Sequence, residues 1–411
     1  MIRRRLTKTS RAFAVLVFAL AVVAPVGTFA ETSSAATPTT QSFAITFSPG
    51  SGKLTSGAQT LLAAKLDALQ LATKITAVGY SSVATKRSSV AKDALTRANA
   101  IKNYLAKLGL ANAVDVKSGG YSSRFLKPNV ANRVVVTYVA DPDLLWVEDF
   151  NQPAATVPNP KVFSALSGNG CQELGLCNYG TGEIESNQAF AAVTDGQGNL
   201  VIHAENQGSV WTSARIWTAN KLAFQYGTLE IRAKLPAGNF NWPAIWMLGD
   251  NYQPPNHSFG NTQWPASGEL DIAEGLGQNS VVQGTIHGLE QGGGDWRGGA
   301  GLTAVALQGN IAGAFHTWGI SWQPNLIIFT MDGIEYCRDT FDGAKVTQRF
   351  ANNSEQVFDS HGNWPFNQPF FLILNNAIWA GASAPVGAKS DFLIDSIRYS
   401  KFNGYGALTR H

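Results

Sequence analysis

The chain has 411 residues, of which 45% are apolar and 14% charged, with 41 glycines, 10% aromatic residues and a formal net charge of +3. This length and apolar content are enough for two ordinary domains, each with a hydrophobic core. The charge balance has neither the strong basicity nor the strong acidity that would indicate a nucleic-acid partner, and we expect none.

The first 30 residues have the layout of a secretory signal peptide. Five cations within residues 3–11 precede an apolar run over residues 12–26, and Thr-Phe-Ala follows at 28–30. Cleavage after Ala30 or Ala36 would remove these cations, and their loss alone changes the formal charge from +3 to −2. A retained membrane anchor is the alternative, but a run of about 15 apolar residues is short for a bilayer. We therefore predict a secreted or cell-surface protein, with residues 31–40 as a short linker.

Residues 41–140 predict a separate α+β domain. Alternating apolar residues indicate strands, and apolar residues at three- and four-residue spacing indicate helices. The predicted order is β-α-β-α-β-β, with elements over residues 43–47, 56–71, 74–80, 90–108, 114–116 and 134–139.

This order and four short segments resemble the OmpA-like domain, which binds peptidoglycan. The resemblance implies that Arg97 holds the ligand together with an acidic residue, but Ser82 stands at the acidic position. Without that carboxylate, a charge-assisted hydrogen bond to the ligand's ammonium group is lost. The domain therefore binds the cell wall with weakened affinity, binds an altered ligand, or is a spacer. The segments are Phe-Ser-Pro-Gly-Ser-Gly-Lys-Leu (47–54), Gly-Tyr-Ser-Ser (79–82), Leu-Thr-Arg-Ala (95–98) and Asn-Arg-Val-Val-Val (132–136).

The chain has three cysteines, all after residue 170. Cys171 and Cys177 are six residues apart in a glycine-rich stretch and can close a small disulfide in an oxidising compartment. Cys337 is the odd cysteine and lies in a predicted strand, so we expect a buried free thiol there. The sequence has no zinc-ligand spacing and no Cys/His nucleophile pattern.

Three carboxylates lie in the run Gly-Glu-Leu-Asp-Ile-Ala-Glu, which ends at Glu274. In a regular strand Glu269 and Asp271 share one face and Glu274 points to the other. A β-bulge at Ile272 or Ala273 would bring all three acids onto one face. Retaining glycosidases need two carboxyls about 5 to 5.5 Å apart, a distance that neighbours on one strand face can reach. The alternative is a solvated acidic edge strand.

The acidic run and its flanking segments resemble glycoside hydrolase family 16, the laminarinase-like enzymes, whose signature is E-[ILV]-D-x-x-E. The resemblance covers residues 145–403 and implies an all-β jelly-roll sandwich of the concanavalin-like type, with a cleft across one sheet. The matching segments are Tyr-Gly-Thr-Leu-Glu-Ile-Arg-Ala-Lys-Leu-Pro (226–236), Asn-Trp-Pro-Ala-Ile-Trp-Met-Leu-Gly (241–249), Trp-Pro-Ala-Ser-Gly (264–268), Gly-Thr-Ile-His-Gly (284–288), Phe-His-Thr-Trp-Gly-Ile-Ser-Trp (315–322), Met-Asp-Gly (331–333), residues 364–375 and Ile-Asp-Ser-Ile-Arg-Tyr (394–399).

The resemblance assigns catalytic roles by position. It implies that Glu269 is the nucleophile, Asp271 the assisting carboxylate, Glu274 the acid/base and His287 a helper on the adjacent strand. A like charge at Asp271 would help to keep Glu274 protonated near neutral pH. For His287 alone, the alternative is a hydrogen-bonded core residue.

Sugar rings stack on flat aromatic side chains, and the chain has 11 tryptophans. By resemblance, Arg215, Trp246 and Trp264 contact the substrate, although core packing is the alternative for each tryptophan. We expect Trp318 and Trp322 in the core. Four others lie in stretches that look like loops, where an exposed platform is an unassigned option: Trp211, Trp217, Trp296 and Trp379.

A structural calcium ion is the one cofactor that the resemblance suggests, and none is implied for catalysis. The matching positions are Asp149, the carbonyl of Gly198 and Asp395, whose oxygen ligands suit this ion. The alternative is that the two aspartates are solvated or ion-paired.

The predicted function is a secreted endo-acting hydrolase of β-1,3-glucan that works by double displacement. A mixed-linkage glucan or galactan hydrolase and a transglycosylase use the same carboxylates and remain open. A carbohydrate-binding protein on an inactive scaffold would lack a catalytic glutamate, and both are present. Segments 179–185 and 379–383 depart from the family pattern and border the cleft, so outer subsites are less defined than the reaction.

Overall fold

A computed structural model describes residues 37–81, 87–110, 112–121, 132–275, 281–291, 293–303 and 311–411. The predicted signal peptide, most of the predicted linker and Ser82 lie outside the described residues. Within those ranges, no helix combines the length and apolarity needed to cross a membrane.

The N-terminal unit has the predicted order of helices and strands around a small sheet. Its strand order is β1-β4-β2-β3, in which β2 and β3 are parallel and the other pairs antiparallel. The helix predicted over residues 56–71 is two helices that meet at Lys65 (φ −97°, ψ −3°), which caps the end of the first. The elements are β1 (Thr39–Thr46), α1 (Ser56–Ala64), α2 (Leu66–Gln70), β2 (Ala72–Ser81), α3 (Arg87–Lys107), β3 (Val114–Tyr121) and β4 (Arg133–Ala140).

This unit has a hydrophobic core of its own. Ala98, Ile101 and Leu105 recur at helical spacing on α3 and are fully buried against the sheet. Ile75 of β2 and Val136 of β4 face them. The structure thus confirms an α+β unit here. The OmpA-like resemblance stays a prediction.

The remaining described chain is a jelly-roll sandwich of two sheets, as predicted. Two 3-10 helices (Cys177–Gly180 and Ala189–Ala191) interrupt the strands. In chain order the strands are β5 (Leu144–Glu148), β6 (Ser164–Ala165), β7 (Glu185–Asn187), β8 (Ala192–Thr194), β9 (Leu200–Asn206), β10 (Trp211–Ser213), β11 (Arg215–Trp217), β12 (Leu222–Gln225), β13 (Gly227–Lys234), β14 (Asn241–Gly249), β15 (Glu269–Gly275), β16 (Val281–Leu289), β17 (Asp295–Thr303), β18 (Phe315–Gln323), β19 (Leu326–Met331), β20 (Ile334–Phe341), β21 (Lys345–Phe350), β22 (Glu355–Asp359), β23 (Phe370–Ile378), β24 (Lys389–Ser400) and β25 (Ala407–Arg410).

Each sheet is built mainly from antiparallel neighbours. The larger sheet has the order β22-β21-β20-β19-β18-β13-β24-β9-β10-β7, with β5 paired to β24 and β8 to β9. The smaller sheet has the order β17-β16-β15-β14-β23-β11-β6, with β12 between β23 and β25. The acidic strand β15 therefore lies inside the smaller sheet and not at an edge, which excludes the solvated edge strand.

The two sheets pack face to face over an aromatic-rich core. Trp318 and Trp322 of β18 are fully buried in it, as predicted, together with Phe329 and Leu374. Burial of side chains of this size is the main favourable term in folding, at about 25 cal/mol per Å² of apolar area. The outer face of the smaller sheet is then free to carry polar groups.

Three tryptophans that were predicted in loops are instead buried in strands. Trp211, Trp217 and Trp296 lie in β10, β11 and β17 and are 5–6% exposed. The prediction failed because residues distant in sequence cover these rings: Trp217 packs edge-on against Phe371 and Phe259, and Trp296 belongs to the main core, where it packs against Phe358 and Phe366. Trp379 follows β23 and is half-buried, as a loop residue beside the cleft would be.

Candidate active site

A β-bulge in β15 brings the three acids to one face of the smaller sheet. Asp271 pairs with Thr285 and Glu274 pairs with Gln283, so two residues of β15 lie opposite one residue of β16. The inserted pair is Ile272 and Ala273, which confirms the predicted bulge. Their side chains and that of Leu270 are fully buried in the core between the sheets.

The bulge has support from the opposite sheet. Tyr336 of β20 reaches across the core, and its hydroxyl donates to the Ile272 carbonyl at 3.4 Å. The space for this contact exists because the residue opposite the bulge is Gly284, where a Cβ would lie 2.5 Å from the Tyr336 hydroxyl and 2.8 Å from the Phe329 ring. The geometry of the acidic strand thus depends on a glycine and a tyrosine that sequence reasoning did not single out.

His287 lies between two carboxylates. Its Nε2 is 3.2 Å from Asp271 Oδ2 and its Nδ1 is 2.9 Å from Asp295 Oδ2. Burial opposes protonation of the imidazole, but the hydrogen bonds to both aspartates together raise its pKa to about 11. The ring is therefore a cation at physiological pH. Asp295 was missed because its contact depends on the pairing of β16 with β17, which the sequence does not reveal.

Glu269 is in register with His287 and lies under an exposed indole. The Trp264 Nε1 donates to Glu269 Oε2 at 2.7 Å, and the Trp264 side chain is 44% exposed. Burial and the neighbouring Asp271 charge raise the pKa of Glu269 well above its usual value, while the His287 cation and the Trp264 donor oppose this shift. Trp264 is therefore positioned both to orient an acid and to present a ring face to solvent.

Glu274 has both carboxylate oxygens occupied by side-chain donors. Trp242 Nε1 donates to Oε1 at 2.7 Å and Gln283 Nε2 donates to Oε2 at 2.8 Å. Burial and the Asp271 charge raise the pKa of Glu274. Gln283 could have been found from the sequence, because it shares a strand face with His287; Trp242 could not, because it lies on β14, far from Glu274 in sequence.

Arg215 and Trp246 meet on the same face as the acids, in a polar cluster. The guanidinium of Arg215 forms an ion pair with Glu183 and lies over the rings of Tyr179 (4.0 Å) and Trp246 (5.5 Å). The Trp246 indole donates to Asn375 at 2.7 Å. Arg215 is only 7% exposed, which favours a role in holding these rings over direct contact with a substrate.

Glu183 was missed by the sequence analysis although it lies in a segment that departs from the family pattern. A second acid of that segment, Glu185, accepts a hydrogen bond from the backbone N–H of Ile378. Burial, together with the adjacent Glu183, raises its pKa well above the usual value. The departing segment therefore supplies two of the partners of Arg215, Tyr179 and Glu183.

The predicted calcium ligands lie in a different part of the sandwich, near β5 and β24. Burial raises the pKa of Asp149, and nearby Asp395 adds to the shift while Arg398 opposes it. Asp395 also lies 3.4 Å from Arg232, and Gly198 has a positive φ of 92°. The two aspartates are thus close enough to repel each other, with cationic neighbours that already offset part of that repulsion.

One further group of potential ligand atoms occurs among the described residues, at Glu269, Asp271 and His287, within 4.8 Å of one another. Both ring nitrogens of His287 already have carboxylate partners there, in Asp271 and Asp295. The cysteine predictions hold: Cys171 and Cys177 form a disulfide, and Cys337 is a buried free thiol whose pKa is raised by burial.

Residues 181–383 match the sequence profile described as "Glycosyl hydrolases family 16". Over 268 residues the chain is 32% identical to a beta-glucanase from Rhodothermus marinus, an alignment that covers 62% of this chain and 84% of that protein. The chain belongs to glycoside hydrolase family 16. It is therefore a glycoside hydrolase by family, and the N-terminal unit lies outside the matched region.

Two other relatives of this family 16 chain have names that describe different activities, one glucan binding and the other glucan hydrolysis. A beta-1,3-glucan-binding protein from Penaeus monodon is 36% identical over 203 residues, covering 45% of this chain and 49% of that protein. The catalytic domain of an endo-1,3-beta-glucanase (laminarinase) from Thermotoga petrophila has a TM-score of 0.50 at 30% identity, covering 63% of this chain and 97% of that domain. The family fold thus extends over nearly the whole of the solved catalytic domain.

Replacement of Gly284 by alanine tests the support of the bulge. The added Cβ must displace Tyr336 or the bulge itself, so we expect a loss of stability of about 1 to 3 kcal/mol and a fall in turnover. Thermal denaturation and glucan hydrolysis measure the two effects. Gly57→Ala is the control, because its Cβ meets no atom within 4 Å. A Gly284→Ala protein with unchanged melting temperature and activity would show that the contact is unimportant.

Proposed function

We propose that this family 16 protein is an endo-acting hydrolase of β-1,3-glucan that retains the anomeric configuration. The observation that carries the proposal is the bulge, which places Glu269, Asp271 and Glu274 on one face beside the His287 cation. The names of the Rhodothermus and Thermotoga relatives support the β-glucan substrate. Family 16 hydrolysis needs no catalytic cofactor.

In the first step, Glu269 attacks the anomeric carbon and Glu274 gives its proton to the leaving oxygen. A glycosyl ester on Glu269 forms as the glycosidic bond breaks. The step requires one ionised and one protonated carboxyl. Burial raises the pKa of both glutamates, and the nearby charge of Asp271 adds to both shifts, so the site favours the protonated form of a carboxyl. Position in the motif assigns the proton to Glu274.

In the second step, Glu274 takes a proton from water, which attacks the glycosyl ester and releases Glu269. Asp271 lies between the two glutamates along the strand, and its bond to the protonated His287 fixes its orientation. Asp295 holds the other side of the imidazolium. The role proposed for this chain of three side chains is to keep the negative charge of Asp271 in place through both steps.

Substrate contacts follow from the exposure of the rings around the acids. Trp264 offers the most exposed indole and also donates to Glu269, so a sugar stacked on it would lie next to the nucleophile. Trp246 is half-buried and held by Asn375 and Arg215. We propose that both rings line the cleft and that Arg215 acts mainly by positioning Trp246.

The chief alternatives share the same carboxylates and differ in substrate. A mixed-linkage glucan hydrolase, a galactan hydrolase and a transglycosylase would all use this geometry, so assays on laminarin, curdlan, lichenan, agarose and carrageenan are needed to separate them. The Penaeus relative is named for binding. Here both glutamates are present with hydrogen-bond donors in place, which favours catalysis over binding alone.

Glu269→Gln should keep affinity for laminarin and reduce turnover at least about a thousandfold, because the amide cannot act as the nucleophile. Reducing-end release and a laminarin binding assay measure the two quantities. Glu230→Gln, on the larger sheet, is the matched control and should retain full activity. Unimpaired turnover in the Glu269 variant would refute the assignment.

The N-terminal unit is proposed to be a spacer, with peptidoglycan binding as the alternative. Arg97, the residue expected to hold the ligand, is 2% exposed. Its Nε donates to the Ser51 carbonyl at 2.9 Å and its Nη1 to the Tyr80 carbonyl at 3.0 Å. Burial lowers the pKa of this guanidinium. These internal bonds support a structural role for Arg97.

A pull-down on purified peptidoglycan tests the spacer proposal. Residues 37–140 have their own sheet and core, so this segment and the full chain are both suitable baits. We expect no enrichment over a control protein of similar charge. Enrichment of the segment at physiological salt would instead establish wall binding.

We propose that a structural calcium ion binds Asp149, Asp395 and the Gly198 carbonyl, since a cation there would relieve the repulsion between the two aspartates. A chelator should then lower the melting temperature of the protein, and calcium should restore it. Asp395→Asn should abolish this dependence. Equal melting temperatures with chelator and with calcium would favour the alternative, in which Arg232 and Arg398 balance the two charges.

A further inference from the structure

A pair of stacked tryptophans lies against the acid/base glutamate. The rings of Trp242 and Trp379 are 4.0 Å apart between centroids and 7° from parallel. Trp242 is also the residue whose indole N–H donates to Glu274. The stack therefore connects a loop residue, Trp379, to one oxygen of the carboxyl that is proposed to transfer the proton.

The backbone holds Trp379 in this position. Trp242 pairs with Ala377 of β23, and Trp379 follows two residues later, just beyond the end of that strand. The N–H of Trp379 donates to the Phe240 carbonyl at 3.2 Å, and its carbonyl accepts from Ala382 at 3.0 Å. Trp379 is thus fixed to the same end of β14 that carries Trp242.

The ring face, and not the indole N–H, is what Trp379 contributes. Among the residues that the structure describes, no acceptor lies within hydrogen-bonding distance of the buried Trp379 Nε1. Parallel stacking fixes the plane of the neighbouring ring and hence the direction of its N–H. Trp242 is the second residue of β14 and lies near the strand end, where the ladder alone constrains a side chain least.

We propose that Trp379 is a positioning residue for proton transfer: by stacking on Trp242 it aims the Trp242 N–H at Glu274 and so sets the protonation of that carboxyl. This inference rests on the proposed role of Glu274 as acid/base. The second donor to Glu274, Gln283, lies on β16 and is not part of this stack. The proposal therefore concerns the Trp242 donor alone.

The direction of the effect follows from the groups that face Glu274. Burial and the Asp271 charge favour the protonated form; the Gln283 and Trp242 donors and the more distant His287 cation favour the ionised form. Glu269 is also coupled to the group, as a like charge. Loss of the Trp242 donor removes a hydrogen bond that stabilises the ionised carboxylate, so the pKa of Glu274 rises.

The test is the pH dependence of kcat/KM on laminarin for the wild type, Trp242→Phe, Trp379→Leu and Trp379→Phe. The alkaline limb reports loss of the proton from Glu274. We expect it to move to higher pH by about one unit in Trp242→Phe, because a hydrogen bond to a charged group is lost. Trp379→Leu should shift the limb in the same direction by a smaller amount and lower kcat more than it changes KM. Trp379→Phe, which keeps a stacking ring, should restore the wild-type profile.

A second measurement needs no turnover. The indole N–H resonance of Trp242, identified by its loss in Trp242→Phe, should titrate with Glu274 and stop titrating in Glu274→Gln. In Trp379→Leu this resonance should shift and its titration midpoint should rise. If the protein hydrolyses no glucan, the proposed function fails while the resonance still reports the contact.

The positioning role is overturned if Trp379→Leu is active and leaves both the alkaline limb and the Trp242 titration unchanged. A lower melting temperature without either change would likewise reduce Trp379 to a packing residue.

Discussion

One extra residue in β15 decides which way the three acids of this strand point. Without the bulge at Ile272 and Ala273, strand alternation would send Glu274 into the core and leave Glu269 and Asp271 alone on the outer face. With the bulge, the apolar residues between the acids all enter the core and the acids all leave it. The same local irregularity therefore satisfies packing on one side of the sheet and brings the three acids together on the other.

The assembled acids form an electrostatic unit and not three independent carboxyls. Burying this much negative charge is unfavourable unless it is paired or protonated. The cluster uses both routes: the His287 cation lies between Asp271 and Asp295, and the raised pKa values of Glu269 and Glu274 show that protonation is favoured there. Burial is thus the main cause of the raised pKa values of the two glutamates.

Features that depend on local contacts could be predicted from the sequence, and features that depend on contacts between distant segments could not. Parity along one strand was enough to predict the bulge, and a family resemblance was enough to place His287 beside it. The partners of these residues were not predictable, because each comes from a strand whose register is unknown beforehand: Asp295 from β17, Trp242 from β14 and Tyr336 from the opposite sheet. Buried strand tryptophans such as Trp217 were misplaced in loops for the same reason, since the segments that cover them are distant in sequence.

The contact between Tyr336 and the Ile272 carbonyl also bears on how the enzyme can be modified. It links a residue of the larger sheet to the backbone of the acidic strand, although the Tyr336 side chain is buried at 5% exposure. Thermostabilising designs that repack β20 or its neighbours would also disturb the backbone between the acids, and a mutagenesis library confined to the exposed cleft would leave this contact unexplored.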